Sequence, residues 1–372
     1  MDKAALARKL TVSAVCGTPH AKFGEGSDIP IATEESRKER RAVRSADDVT
    51  VSTRKKDLFG GCFRLCAQGD GWEQYEMLPC TGRGTMKLCR LLPGVEAVFQ
   101  TFQAKSCFSK EAAVLPHLLE VNYCRSGRYE CELPGRTFVY MGPRDVVMNP
   151  LSNQMRSSSF PLEEYTGTAL LLDLEEMEKS HALFAAMGVE PAALRQRCYL
   201  PGQCRVFRGE AGLCALFDSM TDKMNPGLMR LRTLEILAQL CGEGERAGAA
   251  PAYYPRKVIE AVKAAREELL ATLDRVPLSD LAVRHGLSRR ALIDGFRGVY
   301  GETPYVYLRQ YRIHRAAAQL ADPQVCIGRV ASDAGYQNAS KFSTAFRMVM
   351  GMSPSDYQKN SCTAGAPAAL AE

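Results

Sequence analysis

The chain has 372 residues, 46% of them hydrophobic and 24% charged, with a formal net charge of +6. At that length two or three globular domains are expected. No apolar run reaches the ~20 residues of a membrane span, and no apolar core of a signal peptide opens the chain, which argues against a membrane or exported protein and for a cytoplasmic one.

Residues 1–60 read as a poorly ordered segment. Ser36 to Asp48 (SRKERRAVRSADD) is polar, charged and nonperiodic, with few apolar residues to offset the entropy of ordering it. It is either a basic arm touching DNA or a solvated tail. The fourteen cysteines of the chain show no paired CxxC spacing of a zinc site. In a reducing compartment they act as small apolar residues. Cys62 and Cys66, four apart, would suit metal or redox work only with partners the sequence does not supply.

Residues 61–174 read as a β domain. From Met86 onward the pattern is one of short alternating runs. Ala97–Phe102, Leu118–Cys124, Tyr129–Leu133, Thr137–Met141, Val146–Asn149 and Thr166–Leu174 are strand-like, separated by turns such as Pro134-Gly135 and Gly142-Pro143. Short strands at this spacing predict a sandwich or a small barrel. A barrel mouth is a natural small-molecule pocket. Tyr123, Arg125, Arg128, Tyr129 and Arg144 are candidates for polar or cationic contacts there, for instance to an acidic effector; the other reading makes them surface residues at turns. His117 is read either as a strand-entry residue or as a ligand contact. No metal site and no cofactor is expected.

Residues 175–241 take helical spacing. Glu175–Met187 and Glu210–Met224 are candidate helices, the second with Leu213, Leu216, Phe217 and Met220 on one stripe. Asn225-Pro226 begins a third helix. Residues 242–253, small, polar and rich in Gly and Ala, form a linker.

The segment 254–360 carries one pattern twice. The first copy runs from Leu281 to Leu308 and the second from Val330 to Gln358. Ala282 pairs with Ala331, Gly286 with Gly335, Phe296 with Phe346, Arg297 with Arg347, Gly301 with Gly351, Pro304 with Pro354 and Tyr307 with Tyr357. Each copy reads as helix, Gly-bearing turn, helix, closing Gly and Pro, which is helix-turn-helix punctuation. Leu278, Leu281 and Ala282 form the buried stripe of the first helix. Ser288 caps the second, which hides Leu292, Phe296 and Val299. A long helix from Pro304 to Ala321, bearing Arg309, Arg312 and Arg315, joins the copies. From Tyr254 to Lys359 there are 16 Lys and Arg against 10 Asp and Glu, so this segment holds the whole net charge of the chain. That is the electrostatic footprint of a DNA-binding domain. Residues 361–372 read as a flexible tail.

By position in the motif, Arg290, Ile293 and Asp294 face the bases, while Arg289 and Arg297 face phosphates. Arg290 is a candidate to read guanine through two hydrogen bonds; Asp294 either accepts from cytosine or pairs with a neighbouring arginine. In the second copy the outward residues are Asn338, Ala339, Ser340, Lys341, Ser343, Thr344 and Arg347. Phe342 and Phe346 are read as core.

LSDLAVRHGLSRRALIDGFRGVYG, YLRQYRIHRAAAQL and GYQNASKFSTAFRMVMGMSPSDY resemble the AraC/XylS family of transcription regulators across roughly Pro255 to Gln358. The resemblance implies a seven-helix DNA-binding domain that places two recognition helices in successive major-groove segments. HLLEVNYCRSGRYECEL and FVYMGPRDVVMNP resemble, more loosely, the cupin-like sensor domain of the same family. The fold class expected is therefore multidomain α and β: an N-terminal cupin-like β-barrel with accessory helices, then an all-α domain with two helix-turn-helix motifs. Ile293 and Asp294 depart from the basic or amide residues usual in the family, and Thr344 and Gln358 stand where the family usually has Arg. LRTLEILAQL and PYVYLRQYRIHRAAAQL look most like a branch that includes iron-siderophore-responsive regulators. The function implied is an effector-responsive, sequence-specific activator rather than an enzyme. Its partners would be double-stranded DNA, RNA polymerase and a small-molecule effector of unknown identity; the accessory helices would either form a homodimer, contact the DNA-binding domain or simply cover the barrel. The rivals are a thiol-based redox regulator and a cupin enzyme with a DNA-binding tail.

Overall fold

The computed structural model describes residues 62–78, 82–106, 115, 117–133, 137–153, 156–198, 204–242, 254–272 and 276–363. The expectations for residues 1–60, for nearly all of the 242–253 linker and for most of the tail lie outside these residues. Everything below belongs to one compact unit, Asp57–Ala371.

The β region forms two antiparallel sheets. The larger has the strand order β1-β2-β3-β4-β10-β5-β8-β11. These strands are β1 (Phe63–Gly69), β2 (Trp72–Met77), β3 (Gly82–Leu92), β4 (Val95–Ala104), β5 (Leu118–Gly127), β8 (Asp145–Pro150), β10 (Glu164–Asp173) and β11 (Arg205–Arg208). The smaller has the order β12-β7-β6-β9, from β6 (Tyr129–Leu133), β7 (Thr137–Met141), β9 (Ser157–Ser159) and β12 (Tyr254–Pro255). Every strand read from the alternation is present. Those not read are β1, β2, β3, β9, β11 and β12. β1 is the outer edge of the large sheet and is exposed along nearly its whole length, while β2 beside it is half-buried with Trp72 and Tyr75 on opposite faces, so neither shows the one-sided apolar period that marks a half-buried strand.

The period-2 geometry of a strand sends alternate residues to opposite faces, and the central strands are apolar on both. Val98, Phe102, Cys124, Ala169 and Leu171 turn toward the small sheet, meeting Cys131, Leu133, Val139 and Met141. Ala97, Leu119, Val121, Leu170 and Leu172 turn the other way, against helices. Those helices are α1 (Leu174–Lys179), α2 (His181–Ala185), α3 (Pro191–Cys198), α4 (Ala211–Ser219) and α5 (Pro226–Gly242). The stripe expected on the second candidate helix is the one that packs, with Leu213, Phe217 and Met220 buried. The single helix expected over 175–187 is two, α1 and α2, broken at Ser180. Asp173 caps α1, accepting from the N–H groups of Glu175 and Glu176.

The rest is helical: α6 (Arg256–Thr272), α7 (Leu278–Arg284), α8 (Arg289–Tyr300), α9 (Pro304–Leu320), α10 (Ile327–Asp333), α11 (Ala339–Met350) and α12 (Pro354–Thr363). The last three residues of α12 had been expected in the tail. Two cores form here. One gathers Leu281, Leu292, Phe296, Val299 and the first half of α9; the other gathers Val330, Phe342, Phe346 and the second half of α9.

Candidate nucleic-acid interface

The two hairpins repeat each other in detail. Gly286 and Gly335 turn between their helices at φ 66° and 78°, a region open to Gly at little cost. The second helices, α8 and α11, are each twelve residues long and end at Gly301 and Gly351 in the left-handed conformation. In each, that glycine's N–H closes on the carbonyl of the arginine four residues back, Arg297 or Arg347, at 2.9 Å. Phe296 meets Tyr307 edge-on at 5.6 Å and 70°, and Phe346 meets Tyr357 at 5.6 Å and 73°. Both phenylalanines are fully buried. These matched contacts explain why the sequence repeats where it does.

The caps differ in chemistry but not in role. Ser288 Oγ accepts from Ala291 N at 3.1 Å. Asn338 Oδ1 accepts from Ser340 N at 2.8 Å and Lys341 N at 3.2 Å. Asn338, expected to face DNA, therefore has its side-chain oxygen committed to the helix end.

The outward face of α8 presents Arg289, Arg290, Asp294 and Arg297, all exposed. The Arg290 side chain is 93% exposed and pairs with Asp294 at 3.4 Å; Arg297 reaches the other oxygen of Asp294 at 3.9 Å. Asp294 takes the arginine-pairing alternative in this structure. Ile293, expected to face bases, is half-buried and packs on the first core. On α11, Ala339, Ser340, Lys341, Thr344 and Arg347 are exposed and Ser343 is half-buried. The Thr344 hydroxyl donates back to the Ser340 carbonyl at 2.9 Å. Gln358 donates to the carbonyls of Asp322 (3.2 Å) and Val325 (2.8 Å), which ties down the turn between α9 and α10.

The small sheet packs directly on this domain, a relationship the sequence reading did not anticipate. β12, the first two residues of the 254–360 segment, pairs with β7 through Tyr254 and Phe138. The outward residues of β7, Phe138 and Tyr140, join the first helical core. On β6, the buried Glu130 and Glu132 receive Lys263 at 2.7 Å and Arg256 at 3.3 Å from α6. Arg128 reaches across to the end of α8. Its Nε donates to the Val299 carbonyl at 3.0 Å, and its terminal nitrogen to the Gly298 carbonyl. Those carbonyls belong to the last turn, where the helix offers no internal donor and its dipole favours a cation.

The six effector candidates do not line one cavity, though three of them meet at Asp218. Tyr123 is buried, stacks on Phe217 and donates to Asp218 at 2.7 Å. Arg125 and Arg144 also pair with Asp218, at 3.4 and 3.5 Å. Arg125 further donates to the carbonyls of Phe217 and Met220 at the end of α4. Tyr129 lies at the rim of the inter-sheet core beside Phe160 and Tyr165, and His117 stands at the entry to β5. Of the six, only Arg125 lines the ~390 Å³ cavity bounded by Lys87, Gln100, Thr168 and Asp222, and only Arg128 lines a second of ~340 Å³. Sequence reasoning missed Glu120. It lies on β5 between Leu171 and Asn149, on the face turned to the small sheet. No hydrogen bond or ion pair to its carboxylate occurs among the described residues, and burial pushes its pKa up to about 7. Among the described residues no three His, Cys, Asp or Glu side chains gather as metal ligands would.

A family model described as a helix-turn-helix domain matches residues 281–360. An AraC-like transcription regulator of Streptomyces lividans is 37% identical over 83 residues, 22% of this chain and 27% of that protein, so the match spans about a quarter of the relative's length. The regulatory protein PchR of Pseudomonas aeruginosa is 29% identical over 216 residues, 54% of this chain and 69% of that protein. The transcriptional activator RhaR of Klebsiella pneumoniae is 36% identical over 94 residues, 25% and 34% of the two chains. Among solved structures, ToxT of Vibrio cholerae is similar over 72% of this chain and 98% of its own, at 13% identity and a TM-score of 0.24. A DNA-binding transcriptional dual regulator of Escherichia coli is similar over 28% and 93%, at 24% identity and a TM-score of 0.25.

Proposed function

Starting from a C-terminal domain of the AraC helix-turn-helix type, we propose that the chain is a sequence-specific transcription regulator, read as an activator, whose cupin-like β layers respond to a small-molecule effector. The observation that carries this reading is the duplicated hairpin with its second helices, α8 and α11, presenting polar and basic residues to solvent while Leu292, Phe296, Val299, Phe342 and Phe346 are buried behind them. In this reading α8 and α11 enter successive major-groove segments. Arg290 reads a base, while Arg289, Arg297, Lys341 and Arg347 hold phosphates. RNA polymerase is the partner on the promoter. Leu228 and Leu231, 56% and 60% exposed and three residues apart on α5, support that helix as the face of a homodimer.

The effector acts by binding two arrangements of the domains with unequal affinity. The contacts available to shift are those between the small sheet and α6 and α8, which couple the β layers to the first hairpin without a flexible intermediary. The experiment is a nuclease footprint on the DNA upstream of the chain's own gene, at physiological salt. Protection over about two helical turns on one face per subunit is expected. Protection only at low salt and without defined edges would be non-specific phosphate binding and would overturn the reading.

A further inference from the structure

The ~340 Å³ cleft lies where the small sheet, β11 and the end of α8 meet, and three of its lining residues are arginines: Arg128, Arg208 and Arg297. One acid, Asp145, lines it as well. Its carboxylate is buried and accepts from the Gly142 N–H at 2.8 Å, and no ion pair joins it to any of the three arginines. Arg128 is spent on the carbonyls of α8. Arg208 is exposed and has neither a hydrogen bond nor an ion pair among the described residues. Arg297 has only its long contact to Asp294. The hydroxyl of Tyr254, also in the lining, is likewise without a hydrogen-bond partner among the described residues.

The backbone around the cleft is kept bare. A Cβ on Gly298 would fall 2.6 Å from the Tyr254 hydroxyl, and one on Gly142 would fall 2.6 Å from the Arg128 guanidinium. Glycine at these positions lets the donors close in. The result is an excess of two positive charges lining a concave space, with Arg208 on β11 held only by the nearby charge of Asp145 and Arg297 on α8 only by its long contact to Asp294. Guanidinium groups match oxyanions through paired, charge-assisted hydrogen bonds.

We propose that this cleft binds a small multivalent oxyanion, of phosphate or polycarboxylate type, held between Arg208 of β11 and Arg297 of α8. Such a ligand would bridge the β layers to a helix that the function proposed above places on DNA, and would take from DNA one of its phosphate contacts. It rests on that reading only for this consequence; the site is tested without DNA. The experiment is isothermal titration of the full chain with pyrophosphate and, separately, with citrate, at constant ionic strength. Saturable binding of one anion per chain is expected, and whichever probe binds tighter tells phosphate from carboxylate. Arg208→Gln and Arg297→Gln should each weaken it tenfold or more. Arg64→Gln, on β1 at the edge of the large sheet opposite β11 and outside the cleft, should leave it unchanged. Absence of saturable binding by either anion, or equal weakening by all three substitutions, would overturn the proposal.

Discussion

Lys263 Nζ on α6 donates to Glu130 Oε1 on β6 at 2.7 Å, with the carboxylate buried and the lysine only half so. The same carboxylate accepts from Tyr140 and from Ser159. Lys263→Met would leave it buried with two neutral donors and no cation. The expected cost is about 1–3 kcal/mol, read as a lower urea midpoint of the full chain. An unchanged midpoint would mean that the ion pair contributes nothing to docking the sheet on α6.

Arg290 and Arg347 should behave differently. Arg290→Ala should compress the difference in affinity between the footprinted site and its single-base variants by ~1–3 kcal/mol at one position. Arg347→Ala should weaken all duplexes alike and flatten the salt dependence by about one counterion. Binding titrations on a panel of variant duplexes at two salt concentrations separate the two. Uniform loss in both mutants would refute the division into a base reader and a phosphate holder.

The paired glycines give an internal control. At Gly351 an added Cβ meets open space, so Gly351→Ala should cost only the left-handed strain, about 1–2 kcal/mol. At Gly301 the Cβ would lie 3.1 Å from the Arg128 guanidinium. Gly301→Ala should therefore cost the same strain and additionally disturb the bonds Arg128 makes to α8, ~1 kcal/mol more. Equal urea midpoints for the two variants would argue against the Arg128 contact.

Glu120 sets a pH dependence. Its pKa is raised to about 7 in the fold by burial, against an ordinary value near ~4.3. The folded state therefore holds the proton over this window while the unfolded state has lost it. Stability from this group is fully present below the ordinary value and is lost as pH rises through about 7. Glu120→Gln should raise the urea midpoint at pH 8 and change it little at pH 4. A constant difference across that range would place the carboxylate in water rather than between the sheets.

Thiol reactivity should follow environment. Cys326 is exposed, and the backbone N–H groups of Arg329 and Gly328 hold its pKa below the usual thiol range. Burial pushes Cys124 up to about 12. Iodoacetamide at pH 7.5 followed by peptide mass mapping should label Cys326 long before Cys124. The reverse order would contradict both placements.

The hairpins were legible because their signals are local. A glycine needed for positive φ, a capping side chain and a 3.6-residue apolar stripe all lie within a dozen residues of one another. The limit shows at Ile293. It borders the buried stripe, and being apolar it is drawn onto the core instead of facing outward. The seam between sheet and helices was not legible, because Glu130 and Glu132 meet their cations at Lys263 and Arg256, more than a hundred residues further along. A signal did exist: two acids alternating with Cys131 and Leu133 on a strand, and two cations seven residues apart on one helical face. Pairing them required knowing that β12 extends the small sheet. The effector candidates were chosen for chemistry at turns, and chemistry alone does not say on which side of a sheet a turn delivers its side chain.

α9 belongs to two cores at once. Tyr307 and Leu308 pack with the first hairpin, while Ile313, Ala316, Ala317 and Leu320 pack with the second. A helix of 17 residues is a rod of about 25 Å, so the separation and the relative rotation of the two hairpins are written into its length. One inserted residue would swing the second hairpin by about 100° around that rod. Under the proposed function, new binding sites are then reached by exchanging side chains on α8 and α11, while the spacing between the two halves of a site is inherited unchanged.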